Sequence, residues 1–272
     1  MLSSISTVCF LCGKNNFIFK CRLKEKEIFC CKNDGLCISK ETKIKKTNYD
    51  KNYYNQNPYP LNSKSNNNYF QTKLNKIINL TGELKPNVLD IGCGWGNFLE
   101  VLKKNNIPYL GIDSSKEAIK TCIKKGLNCQ TASISHLIKN RQKYSAITCF
   151  QVLEHLKNPM DFLISIKKLL KTNGVLILTT PNNNSPLRNI LKQKWPVYNT
   201  DSHFVFYNKN TLKKTFALAG FKKIKVQLDS VRFMSLTYII SRTFLREFKF
   251  LNNISVPTDL FGDLEAIIKY EN

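Results

Sequence analysis

The chain has 272 residues, with 42 lysines and arginines against 19 acidic residues and a formal net charge of +23. That length supports one large α/β domain of about 200 residues plus a small accessory module. No stretch approaches the ~20 apolar residues of a membrane span, and the N-terminus lacks the charged start, apolar centre and cleavage site of a secretory signal, so a soluble cytoplasmic protein is expected.

The charge would ordinarily suggest nucleic acid or an anionic surface. Only six of the 42 basic residues are arginine, however, and the lysines come with abundant Asn and Ile, as a coding bias would produce. Specific recognition of phosphate and guanine favours the bidentate fork of arginine. A polyanionic partner is therefore given little weight.

Residues 1–45 read as a separate cysteine-rich module. Six of the ten cysteines, Cys9, Cys12, Cys21, Cys30, Cys31 and Cys37, fall in the first 37 residues, and in a chain without a secretory signal this clustering points to metal. Cys9-Phe10-Leu11-Cys12-Gly13 is a knuckle whose two thiolates can grip one Zn²⁺ while turn N–H groups stabilise the sulfur charge. The matching second knuckle is Cys31-Lys32-Asn33-Asp34-Gly35, with Asp34 where a fourth thiolate is expected. Either Asp34 ligates, or Cys30 or Cys37 takes its place, or the ribbon is held by its own packing without metal. A zinc here, far from the glycine turn described next, is structural rather than catalytic.

Residues 46–68 are rich in Asn, Tyr, Pro and Ser and read as a linker or flap. From residue 69 the pattern becomes regular. A helix is predicted over about 70–80 and a strand over 87–91, followed by glycines at 92, 94 and 96 and a helix to about 104. A strand at 109–112 ends in Asp113, and Ser114 with Glu117 forms a capping box for a helix that closes near Gly126. Strands follow near 128–131 and over 146–152. Asn158-Pro159 opens a helix to about 170, and 174–180 is the strongest strand. Strict β/α alternation implies a parallel sheet wound on both faces.

In such a sheet the ligand sits at the carboxyl ends of the strands. The glycine turn, Asp113, Ser133 and the segment Phe150–His155 all fall there. An acid at a strand end, 17 residues beyond the last glycine, is where a ribose diol would be gripped. The spacing Gly92-x-Gly94-x-Gly96 departs from the dinucleotide fingerprint, and Asp90, two residues before the first glycine, would repel a pyrophosphate while suiting a cationic amine and sulfonium. S-adenosylmethionine is favoured.

The segments VLDIGCGWGNFL, GIDSS, FQVLEHLKNP and LILTTPN, in this order and spacing, resemble the class I S-adenosylmethionine-dependent methyltransferases over about residues 70–272. They resemble in particular the ubiquinone-biosynthesis O-methyltransferase-like subgroup, some members of which carry an N-terminal cysteine ribbon. The resemblance implies a Rossmann-like sheet of seven strands, mostly parallel with the last antiparallel, in a domain spanning 69–272. It implies that Asp90, Gly92, Cys93, Gly94 and Gly96 hold the methionyl part, Asp113 the ribose, and Ser114 with Ser133 the adenine edge; Ser133 stands where the family commonly has Asp. Gln151 and Val152 would lie beside the sulfonium. Glu154-His155 resembles an acid–histidine pair that in some members holds a divalent metal with an upstream acid, a place here taken by Gln151. His203-Phe204, a helix capped by Asn210, and a strand beginning at Gly220-Phe221 resemble a stretch that puts its histidine over the acceptor. Residues 262–268 resemble the final antiparallel strand, which argues for a whole enzyme.

Residues 183–215 and 231–250 are expected to form lid elements, the second a basic amphipathic helix over the pocket or a contact with an anionic membrane surface. The function expected is transfer of a methyl group from S-adenosylmethionine to an oxygen of a small-molecule acceptor, a lipid precursor or sugar-type metabolite, with His155, His203 and Glu154 as the catalytic candidates. Cys9, Cys12, Cys31 and Asp34 are the candidate ligands of a structural zinc. The alternative is an RNA methyltransferase, supported by charge and ribbon but lacking the Asp/Asn-Pro-Pro-Tyr type segment after the fourth strand. A non-catalytic cofactor-binding module is the third reading.

Overall fold

The computed structural model describes residues 5–42, 64–198, 200, 202–229, 233–235, 255–257 and 262–271. Three antiparallel strands open the chain: β1 (Phe17–Arg22), β2 (Lys26–Cys31) and β3 (Cys37–Glu41). Then follow α1 (Lys64–Thr81), β4 (Val88–Ile91), α2 (Asn97–Lys104), β5 (Tyr109–Ile112), α3 (Lys116–Lys124), β6 (Cys129–Gln130), α4 (Ile134–Lys139) and β7 (Tyr144–Phe150). The remainder comprises α5 (Pro159–Leu169), β8 (Leu170–Thr180), α6 (Pro186–Leu191), β9 (Val205–Phe206), α7 (Lys209–Leu218), β10 (Lys223–Leu228), β11 (Phe233–Ser235), β12 (Ser255–Pro257) and β13 (Leu264–Lys269).

The main sheet has seven strands in the order β10-β13-β8-β7-β4-β5-β6. Its central pairs are parallel, and β13 runs antiparallel to both β8 and β10. This is the doubly wound, mostly parallel sheet expected from the β/α alternation. Every residue of β4 is buried, as a central parallel strand covered on both faces requires. Helix α5 begins as expected, with the Asn158 side chain accepting from Asp161 N and Pro159 in the first turn.

Helix α1 is fastened to the antiparallel edge by ions. Lys73, fully buried, donates to Asp229 and Glu265, while Lys76 also reaches Glu265. Removing one partner of such a cluster would strand a buried charge.

The structure moves two helix starts. Ser115, not Ser114, caps α3, accepting from Ala118 N at 3.2 Å. The reason is Asp113, whose Oδ1 accepts the Ser115 N–H at 2.8 Å and so carries the turn one residue further. Likewise Asn208 caps α7, in a reciprocal box with Thr211, and Asn210 lies exposed inside the helix. The strand expected from Gly220-Phe221 begins at Lys223, and α1 starts at Lys64, inside the expected linker. Residues 46–63 of that linker, and 236–250 of the expected basic helix, lie outside the described residues. At 233–235 the backbone is not helical but a strand paired with 255–257.

Two of the N-terminal cysteines are joined to each other. Cys30 and Cys37, opposed in the β2–β3 register, form a disulfide. Spacing alone had left them as spare metal ligands, because the cross-strand register that brings their Cβ atoms together is a tertiary fact.

Candidate active site

At the carboxyl end of β4 the chain folds tightly: Gly92 N and Cys93 N both donate to Ile112 O, and Gly96 N donates to Cys93 O. Gly92, Gly94 and Gly96 have φ of +74°, +52° and +80°, a region that disfavours side chains. A Cβ on Gly92 would lie 2.5 Å from Val152 Cγ2, so the turn passes directly against the end of β7. Gly96 caps α2 without any side-chain bond, leaving first-turn N–H groups for a ligand.

Two acids frame this cradle. Asp90 is buried and accepts from Thr148 Oγ1 at 2.7 Å. Burial pushes its carboxyl up to about 7, opposed by the Thr148 bond and assisted by the charge of Asp113. Asp113 accepts from Gly94 N at 2.9 Å through Oδ2 and from Ser115 N through Oδ1. It therefore joins the glycine turn to the end of β5. Thr148 went unnoticed in the sequence, because only the β4–β7 register, Asp90 opposite Thr148, reveals it. Ser114 is exposed beside Asp113, while Cys93 is buried in the turn. Ser133 follows β6 as the cap of α4, accepting from His136 N and bonded to Ser135 at 2.8 Å.

β7 is followed by Gln151 at φ +59°, a strained conformation for a non-glycine residue. Its N–H donates to Thr179 O and its amide to Asp263 Oδ2 at 3.2 Å. A carboxamide turned this way adds no anionic oxygen to the acid–histidine pair that follows. One 3₁₀ turn, Leu153–His155, presents Glu154 and His155. Glu154 Oε2 accepts from Thr180 Oγ1 at 2.9 Å in a buried setting.

His155 and His203, 48 positions apart, meet with ring centroids 4.6 Å apart at 72°. The Nδ1 of His155 lies 3.0 Å from Ser202 O and that of His203 3.0 Å from Val197 O. Carbonyl partners assign the proton to Nδ1 in both rings, and the Nε2 of His155 lies 4.0 Å from Glu154 Oε1. One donor atom from each of Glu154, His155 and His203 falls within 4.8 Å of the others. Burial lowers the His155 pKa to about 4, against the Ser202 bond, and the charge of Lys26 lowers it further.

The cysteine cluster also assembles. Cys9, Cys12, Cys31 and Asp34 bring their donor atoms within 4.8 Å of one another. Cys12 and Cys31 sulfurs are 3.6 Å apart, and Asp34 Oδ2 is 3.3 Å from the Cys9 sulfur and 3.5 Å from that of Cys31. Tetrahedral Zn²⁺ with ordinary bond lengths requires edges of roughly 3.8 Å between sulfurs and 3.5 Å from sulfur to oxygen. Gly13 and Gly35 close the two knuckles at φ +69° and +77°, so Asp34 occupies the place of the second cysteine.

Comparison with known proteins agrees with this geometry. The family described as a methyltransferase domain matches residues 30–226. The ubiquinone biosynthesis O-methyltransferase of Haemophilus ducreyi is 33% identical over 126 residues, covering 42% of this chain and 51% of that protein. That of Coxiella burnetii is 33% identical over 103 residues, 36% of this chain and 44% of that protein. The matched regions thus span about half the length of these relatives. Among solved structures, a SAM-dependent methyltransferase from Archaeoglobus fulgidus shares the fold with a TM-score of 0.53 at 23% identity, over 75% of this chain and 94% of that one. A Pyrococcus horikoshii protein matches with a TM-score of 0.53 at 12% identity, over 82% and 100%. None of these relatives favours an RNA acceptor. With the glycine cradle, its two strand-end acids and a family match over residues 30–226, the chain belongs to the methyltransferase-domain family.

Proposed function

We propose that the chain is an S-adenosylmethionine-dependent methyltransferase that methylates an oxygen of a small lipid-precursor or sugar-type acceptor. The observation that carries this reading is the cradle: a turn with no room for a Cβ at Gly92, buried Asp90 beneath it and Asp113 across it. These residues fit the cofactor, because a ligand with a cationic amine and sulfonium favours the ionised form of Asp90, and a ribose diol matches a two-oxygen acceptor such as the Asp113 carboxylate.

When bound, S-adenosylmethionine supplies an electrophilic methyl group whose sulfur keeps the bonding electron pair as the C–S bond breaks. The chain's contribution is mainly alignment of the acceptor oxygen in line with that bond. Val152 lies against Gly92; Gln151, Glu154 and His155 flank it in the chain, and His203 packs on His155. In this reading a histidine Nε2 takes the acceptor's proton as the new C–O bond forms. Burial holds His155 neutral down to about pH 4 and so weakens it as a base, which leaves alignment of the acceptor with the larger share of the rate.

We also propose that Cys9, Cys12, Cys31 and Asp34 hold one structural Zn²⁺, a reading supported by their mutual distances. The chain is proposed to work in the cytoplasm; among the described residues no helix is long and apolar enough to cross a membrane. Incubation with methyl-labelled S-adenosylmethionine and a panel of phenolic and sugar hydroxyl acceptors tests the reaction. Label recovered in an ether supports the reading, and label found only on nitrogen, carbon or RNA contradicts it.

A further inference from the structure

The N-terminal sheet includes a strand from the far end of the chain. β9, which follows His203, is its fourth member, with Phe206 opposite Cys37 and Val205 opposite Ile38 on β3. Around that pairing several bonds converge on residues 200–206. Lys26, 4% exposed, donates from Nζ to Thr200 O at 2.6 Å and His203 O at 3.3 Å. Ser39 donates from Oγ to His203 O at 2.9 Å and from its N–H to Phe204 O at 2.9 Å. From the opposite side, Phe204 N donates to Glu154 O at 2.8 Å, and Ser202 O receives the His155 Nδ1–H.

The segment bearing His203 is therefore suspended between the N-terminal sheet and the turn bearing Glu154 and His155. Trp195, Tyr198 and Phe206 share a buried cluster with Cys21, Ile28 and Cys37, so the same sheet also packs the chain leading up to His203. A buried ammonium is costly where an apolar side chain would pack, and its bonds to carbonyls are stronger than neutral ones. Lys26 faces two carbonyls of this segment, so its ammonium ties their orientation to the N-terminal sheet.

We propose that the N-terminal module is the positioning element of the acceptor side, with Lys26 and Ser39 as positioning residues that fix the backbone at Thr200, His203 and Phe204 and thereby hold His203 against His155. The consequence for methyl transfer rests on the function proposed above, whereas the geometry itself does not. Neither residue touches the glycine cradle, so cofactor binding and histidine orientation separate experimentally.

The test uses the full chain as Lys26→Met, Ser39→Ala and the conservative Lys26→Arg, with three readouts: S-adenosylhomocysteine affinity by calorimetry, amide exchange at residues 200–206, and ¹⁵N spectra of the histidine rings. The expected result is unchanged affinity, exchange faster by roughly tenfold in Lys26→Met and severalfold in Ser39→Ala, as loss of one or two such bonds implies. The Nδ1–H tautomer signal of His203 should broaden or shift in both, and Lys26→Arg should restore it. If Lys26→Met does not fold, Ser39→Ala decides. Unchanged exchange and unchanged His203 spectra in the folded variants would overturn the proposal. A wild-type chain that binds no S-adenosylhomocysteine would defeat the methyltransferase reading, while the exchange and ring spectra would still decide the positioning role.

Discussion

Asp90 and His155 are both buried titratable groups, and burial displaces them in opposite directions. His155 stays neutral when folded down to about pH 4, whereas an unfolded histidine binds a proton below about 6.5, so its contribution to stability is lost as pH falls from 6.5 to 4. Asp90 keeps its proton when folded up to about pH 7 and releases it above 3.8 when unfolded, so its contribution is full below 3.8 and lost as pH rises to 7. The two slopes oppose one another in the wild type between pH 4 and 6.5. Chemical denaturation of Asp90→Asn across this window should therefore show stability falling on acidification, by about 3 kcal/mol at full extent. His155→Asn should show stability rising on acidification instead, and equal slopes for the two variants would contradict the burial assigned to them. At this scale the sequence was informative about Asp90, Asp113 and the glycines, because strand-end position and spacing are local properties. It was silent about Thr148, Lys26 and Ser39, whose partners lie 58, 177 and 164 positions away.

Among elements, the alternation of strands and helices was legible because buried parallel strands read as apolar runs. The helix caps were not. Two polar residues stood near the start of α3 and again near the start of α7, and backbone geometry decided which one capped: the extended Ser115 and Asn208. The distinction is measurable. Asn208→Ala should cost about 1 kcal/mol in urea denaturation, because Asn208 both accepts from Thr211 N and donates its own N–H to Thr211 Oγ1. Asn210→Ala, at an exposed helical position, should change stability by less than about 0.5 kcal/mol. The reverse order would mean that α7 starts two residues later.

Across the whole molecule, the cysteine module was recognisable from its two knuckles, but its union with the acceptor side was not, since β9 joins it from more than 160 positions downstream. Metal in the knuckles should stabilise that shared sheet as well as the knuckles themselves. Elemental analysis of the purified chain is expected to give one zinc per molecule, with Cys9→Ser and Asp34→Ala each reducing it, and chelation should lower the thermal midpoint. A full zinc content in Asp34→Ala would assign the fourth position elsewhere.

In the reading proposed above, the turn from Gly92 to Gly96, bridged by Asp113, holds S-adenosylmethionine. Calorimetric titration of S-adenosylhomocysteine into the wild type and Asp113→Ala tests it most directly, with circular dichroism confirming that the variant is folded. One site is expected in the wild type and at least a roughly tenfold loss of affinity in Asp113→Ala, the equivalent of about 1.4 kcal/mol; an unchanged affinity in the folded variant would refute the assignment.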